Sequence, residues 1–263
     1  MIPETSEAEE IFSNTFANSI RKFSAIFSFW RISRLGVPNV YTTIFNEAKD
    51  FNKDLFTNIV NAKFFHDQQA AFEFLEPLGG IENFSSEMAR SEINTFLFTV
   101  DAASIIFAHS ILDGAAYDYC RVTSIVDPNS WAEIISEKQI KLKNFKGKQY
   151  DDIVKEKVND YIIKEVERKS LLFKVDKLFQ ICRPSSEFSP IKNFEFDRDR
   201  LLKLDILRHE IVHGSGPFPQ TEAVDEKIKL LQDAGSYLMA LVNMRYNLKI
   251  DPKDMLEVFK RKS

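Results

Sequence analysis

Glycine and proline are scarce in this chain, at eight and nine of 263 residues. Long stretches pass without either, which disfavours many short strands joined by turns and favours long helices. Cysteine is rarer still, limited to Cys120 and Cys182. Both lie in apolar helical contexts and read as buried free thiols of a reducing compartment rather than as a disulfide framework. Strand-like alternation and internal repeats are lacking. The opening MIPETSEAEE is acidic, without the basic and apolar regions of a secretory signal, so a cytoplasmic protein is expected. The net charge of −4 and pI near 5.7 give no overall attraction to a phosphate backbone, so such a partner needs a local basic groove.

What is present is a large apolar fraction, 44%, with 24 phenylalanines, enough for a real core built from bulky interhelical packing. Apolar residues recur at helical spacing over 6–32 (Phe12, Phe16, Ile20, Phe23, Phe27), and a turn is predicted at Gly36-Val37-Pro38. Helices are then expected over 41–61, 67–75, 82–126 (one very long helix or two in tandem), 131–142 and 151–181. A loop spans 183–196, and helices over 197–213 and 221–246 complete the chain. The run Asp127-Pro128-Asn129-Ser130 is a predicted stop and new N-cap, Asp197 a predicted cap, and Gly214-Ser215-Gly216-Pro217 a stop. The run 96–117 is apolar enough to suggest a membrane span, but Asp101, His109 and Asp113 interrupt it, and charges at mid-bilayer are expensive. A buried core helix and no membrane partner are expected. The fold class is all-α, a long-helix bundle: residues 1–80 form a helical extension, 81–250 the main domain and 251–263 a short basic tail.

The densest chemistry lies at Arg208-His209-Glu210-Ile211-Val212-His213, where two patterns overlap. His209-Glu210-x-x-His213 is the HExxH form of zinc hydrolases. On a helix the two histidines lie about 40° apart and can share a face, whereas Arg208 and His213 lie about 140° apart and do not stack. A zinc site needs a third protein ligand. The metzincin position holds Pro219, which cannot ligate, and Asp233 stands about where a gluzincin glutamate would be, without supporting motif. A zinc hydrolase is therefore the less favoured reading.

Read as Arg208-x4-His213-Gly214, the segment resembles the signature of the HEPN ribonucleases, in the form R-[N/H]-x-[I/V]-x-H-G. The resemblance extends to Leu204–Leu207 before the arginine and to the long helix carrying His109, Asp113 and Tyr117, covering about residues 83–246. His209 stands where the family more often has asparagine. The resemblance implies a helical HEPN-like fold and endoribonuclease activity without metal or cofactor. The expected products are a 2′,3′-cyclic phosphate and a 5′-hydroxyl. Family sites form at a two-fold interface, so a homodimer with a composite site is expected, along with RNA as substrate. A toxin–antitoxin or antiviral-defence setting follows by analogy alone.

In roles, His213 is the expected acid/base, because the last helical turn favours an imidazolium. Arg208 is the phosphate clamp aimed at developing negative charge. It sits at an apolar seam formed by Leu201, Leu204, Leu207 and Ile211, so it needs an anionic partner. Asp113 is the candidate that orients it, with Asp205 the local alternative. His209 is a second polar contact, and Glu210 reads as solvated. RNA contact falls to Lys138, Lys141, Lys143, Lys146 and Lys148 or to Lys260-Arg261-Lys262, although lysine runs are usually solvated surface. His109, Asp113 and Tyr117 share a helical face as a buried polar ladder, and His66 reads as structural. Two blander alternatives stand beside the nuclease: a capped core helix whose arginine pairs with an acid, and a HEPN-like module that binds RNA or protein without cutting.

Overall fold

A computed structural model describes residues 3–61, 79–135, 149–192, 194–214 and 222–249, and every regular element among them is a helix. In chain order these are α1 (Pro3–Asn61), α2 (Gly80–Val126), α3 (Pro128–Ile135), α4 (Tyr150–Tyr161), α5 (Leu171–Cys182), α6 (Arg198–His213) and α7 (Val224–Tyr246). The expected helix at 67–75, His66, the lysines of 138–148, Gly216 and the basic tail lie outside the described residues.

The chain divides into two compact units, Met1–Phe27 with Ser104–Ser215 and Ala223–Ser263, and Ser28–Ala103 with Gly216–Glu222. This differs from the boundary at residue 80 expected from the sequence, because the start of α1 packs with the second half of α2. Phe12 and Tyr119 meet at 5.8 Å, and Thr15 donates to Asp118 at 3.1 Å.

In the second unit, residues 28–61 of α1 run antiparallel to residues 80–103 of α2. Trp30 Nε1 and Arg34 both donate to Asp101, at 2.8 and 2.5 Å. Tyr41 shares a 3.1 Å hydrogen bond with Ser86, and Lys49 pairs with Glu82. The turn predicted at Gly36-Val37-Pro38 is not formed, and α1 stays helical through it. Proline removes one helical hydrogen bond, a cost of about 3 kcal/mol. The anchors at Trp30 and Arg34 on one side and at Tyr41 and Lys49 on the other engage the same stretch of α2. A break would misalign one set, and tertiary packing overrides the local breaker.

The first unit is organised around α2, whose Ile105, Leu112, Tyr119 and Cys120 are buried. By length and composition 82–126 could cross a membrane, yet the three ionisable side chains that interrupt its apolar run, Asp101, His109 and Asp113, lie against polar partners. Asp113 pairs with Lys174, and His109 lies against Asp205, as in a core helix of a soluble bundle. Both cysteines are free and buried, as expected, and burial pushes both thiols up. Asp127 caps α3 by accepting from the amide and hydroxyl of Ser130 at 3.1 and 2.8 Å. Pro128 takes the first helical position, where its missing N–H costs nothing. Trp131, fully buried, donates to Thr123 at 3.0 Å. Gly235 of α7 faces Leu112 and Phe23.

The single helix expected over 151–181 is two helices. α4 widens into a π turn at Ile162–Val166, closed by Glu167 N–H to the Ile162 carbonyl at 3.1 Å. Ser170 then caps α5 by accepting from the Phe173 amide at 3.3 Å. No glycine or proline marks the break; the cap does. Downstream, Phe179, Phe188, Phe194 and Phe196 surround Tyr237 with ring centroids 5.0–6.2 Å away. These rings tack the loop between α5 and α6 onto α7.

Asp101 holds two α1 side chains from a site only 2% exposed. Asp101→Ala is expected to lower unfolding stability by about 1–2 kcal/mol, since the half-buried Trp30 and the more exposed Arg34 lose their acceptor. A chemical denaturation curve checks this, and an unchanged midpoint would contradict the anchoring role.

Candidate functional site

α6 carries the motif, and its start is fixed at two points. Asp197 accepts from the amides of Asp199 and Arg200 at 2.9 and 3.1 Å. Arg198 makes a bidentate pair with Asp176 of α5 at 2.9 and 2.8 Å. Leu201, Leu204 and Ile211 are buried, which sets the rotation of the helix and brings Arg208 along the same inward side. Leu202, Ile206, His209 and His213 take the outward face and are exposed. Gly214 ends the helix at the expected position, with extended backbone rather than a left-handed cap.

Arg208 borders a cleft of about 500 Å³ shared by α2, the α4–α5 break and α6. His109, Asp113, Asp205 and His209 line it as well, and Glu167–Leu171 close the far wall. Asp113, the expected orienter of Arg208, instead accepts from Lys174 at 2.7 Å. The lysine is 2% exposed, so its ammonium demands a nearby carboxylate, and Asp113 is the one α2 offers. Asp205, the local alternative, turns toward His109: its Oδ1 lies 2.9 Å from Nε2, close enough for an ion pair but not aligned as a hydrogen bond. Arg208 therefore has neither acid, and its Nε is buried without a hydrogen-bond partner.

His109 is 3% exposed, and its Nδ1 has no partner. Burial holds it below the ordinary imidazole range; Asp205 and Asp113 oppose this, and Arg208 reinforces it. The ring is thus neutral at neutral pH, and the ladder expected of His109, Asp113 and Tyr117 is only partly satisfied.

His209 and His213 bring their rings to 4.6 Å, inclined by 48°. The shared face expected of the pair exists, but among the described residues no group of three or more histidine, cysteine or acidic side chains is arranged to hold a metal ion. His213 does not line the cleft with Arg208, so within one chain the structure does not bring the two together, as the helix angle implies. Glu210 is exposed, as expected.

Sequence reasoning missed Lys174, whose lysine identity gives no hint of burial, and the segment Glu167–Leu171. A serine followed by Leu-Leu-Phe was the available signal for the latter, and it was read as helix interior. No protein-family model, curated protein or solved structure matches the chain.

Two outcomes follow from the buried charges. Asp113→Ala strands the Lys174 ammonium and is expected to destabilise by about 2–3 kcal/mol, discounted because solvent reaches Asp113; adding Lys174→Met should recover most of it. Equal destabilisation in single and double variants would contradict the pairing. For His109, the unfolded chain binds a proton more readily than the folded one. Its contribution is complete above about pH 6.5 and declines as pH drops toward the depressed folded value. Denaturation midpoints between pH 8 and 5 should fall less in His109→Gln than in wild type, and identical declines would contradict the assignment.

Proposed function

We propose that this protein is a metal-independent endoribonuclease of HEPN type. The observation that carries the reading is Arg208: a half-buried guanidinium in an open cleft, with its Nε unpartnered while the nearby acids serve Lys174 and His109. A cation so placed is suited to an external anion, and a phosphodiester matches its planar donor fork.

In this reading Arg208 clamps the scissile phosphate and stabilises the negative charge that develops on it. The 2′-hydroxyl attacks phosphorus, the bond to the 5′-oxygen breaks, and a cyclic phosphate and a 5′-hydroxyl result. His213 moves the proton, and His209 beside it contacts the same group. Because His213 and Arg208 point apart on one helix, a second copy of the chain would complete the site. The outward strip of Leu202 and Ile206, 38% and 50% exposed next to the two histidines, supplies apolar surface for such an association. A toxin or antiviral-defence role, with an antitoxin or defence partner, fits an RNA-cutting activity of this kind.

A second reading is a HEPN-like module that binds RNA or protein without cutting, favoured by the absence of His213 from the cleft lining. Mixed RNA incubated in EDTA decides between them. Wild type should cut and leave cyclic-phosphate ends, while Arg208→Ala and His213→Ala should each reduce the rate by about 100-fold or more. Binding without cleavage by wild type supports the module instead. Loss of cleavage on chelation, restored by zinc, supports a hydrolase using His209 and His213.

A further inference from the structure

Arg168, Lys169 and Arg208 all border the cleft, and none has a carboxylate within ion-pair distance among the described residues. Arg168 and Lys169 are exposed and immediately precede Ser170, the N-cap of the 12-residue α5. Ser170 Oγ satisfies the Phe173 amide. The Leu171 and Leu172 amides, in the first turn, have no carbonyl four residues back within the helix. Orphan amides and the positive end of the helix dipole together favour an anion.

A helix start is not a site by itself. Here the same cleft is walled by His109, 3% exposed with Nδ1 unpartnered, and by the buried, unpartnered Nε of Arg208. Polar atoms left in this state are what a bound ligand satisfies. The lining carboxylates form no ion pair with these cations. Asp113 is held by Lys174, while Asp205, beside the neutral His109, and Glu167 face three positive side chains. At about 500 Å³ the cleft falls within the usual size of small-ligand sites, with room for a nucleotide-sized group.

We infer that the first turn of α5, with Arg168 and Lys169, is a phosphate-binding subsite that holds the phosphodiester next to the one engaged by Arg208 on a single RNA strand. The inference rests on RNA as the ligand but not on cleavage. It adds a contact surface on a different helix from the motif, and it gives the π turn and break a purpose: they turn the start of α5 toward the cleft.

The test uses the full chain and a short 2′-O-methyl oligoribonucleotide, which lacks the attacking hydroxyl, with binding read by fluorescence anisotropy across a salt series. The Arg168→Ala/Lys169→Ala double variant should bind about tenfold more weakly. Its plot of log affinity against log salt should be shallower by about 1.4, or about 0.7 for each lost phosphate contact on a single strand. Both side chains are exposed, so melting should be unchanged, and a glutamine pair at the same positions serves as a second variant. Unchanged affinity and slope in both variants overturns the subsite, even where wild type cuts natural RNA. Wild type that fails to bind the oligonucleotide overturns it as well. If wild type binds through these residues but leaves natural RNA intact, the nuclease reading falls and the subsite stands.

Discussion

Two buried polar side chains, Lys174 on α5 and His109 on α2, lie against the acids beside the motif helix. The Lys174 ammonium, almost wholly buried, requires a carboxylate and takes Asp113. The His109 ring, equally buried, takes the company of Asp205. Asp205 lies on the motif helix and Asp113 lines the same cleft, yet neither forms an ion pair with Arg208. The Arg208 Nε is left buried without a hydrogen-bond partner at the edge of a cleft. A buried donor without a partner costs about 1–3 kcal/mol, a strain that a phosphate oxygen would relieve.

The backbone supports that arrangement from a distance. Asp197 and the Arg198–Asp176 pair hold the beginning of α6, and the ring cluster around Tyr237 secures the loop that leads into it. Rotation of α6 is then set by Leu201, Leu204 and Ile211, so the direction of Arg208 is not free. On the other wall, the π turn at Ile162–Val166 and the Ser170 cap end one helix and begin the next. A continuous helix over 151–181 would place no helix N-terminus there.

The helical class, the long core helix carrying Asp101, His109 and Asp113, and the bounds of the motif helix were legible because they depend on local signals. Apolar residues recur at helical spacing, the run Asp127–Ser130 and Asp197 mark helix starts, and Gly214 stops. Failures came where distant contacts overrule local ones. Pro38 is carried inside α1 by side chains that reach α2 on both sides of it. The break at 167–170 depends on a serine, which serves equally well inside a helix or at its start. The partner of Asp113 was misassigned because burial of Lys174 cannot be seen in its own neighbourhood in the chain. Arg208 was correctly placed at an apolar seam by periodicity alone; that it lacks an acid could come only from coordinates.

The account stands on Arg208 being unpaired in the resting protein and taking up a phosphate from outside. Nitrogen-15 NMR of the Arg208 Nε–H group, titrated with a non-cleavable oligoribonucleotide, reads this directly. The account predicts a downfield proton shift and slowed exchange with water as RNA binds, both saturating together with the binding curve. A signal already shifted and protected in the free protein, or one unmoved while RNA binds, would contradict it.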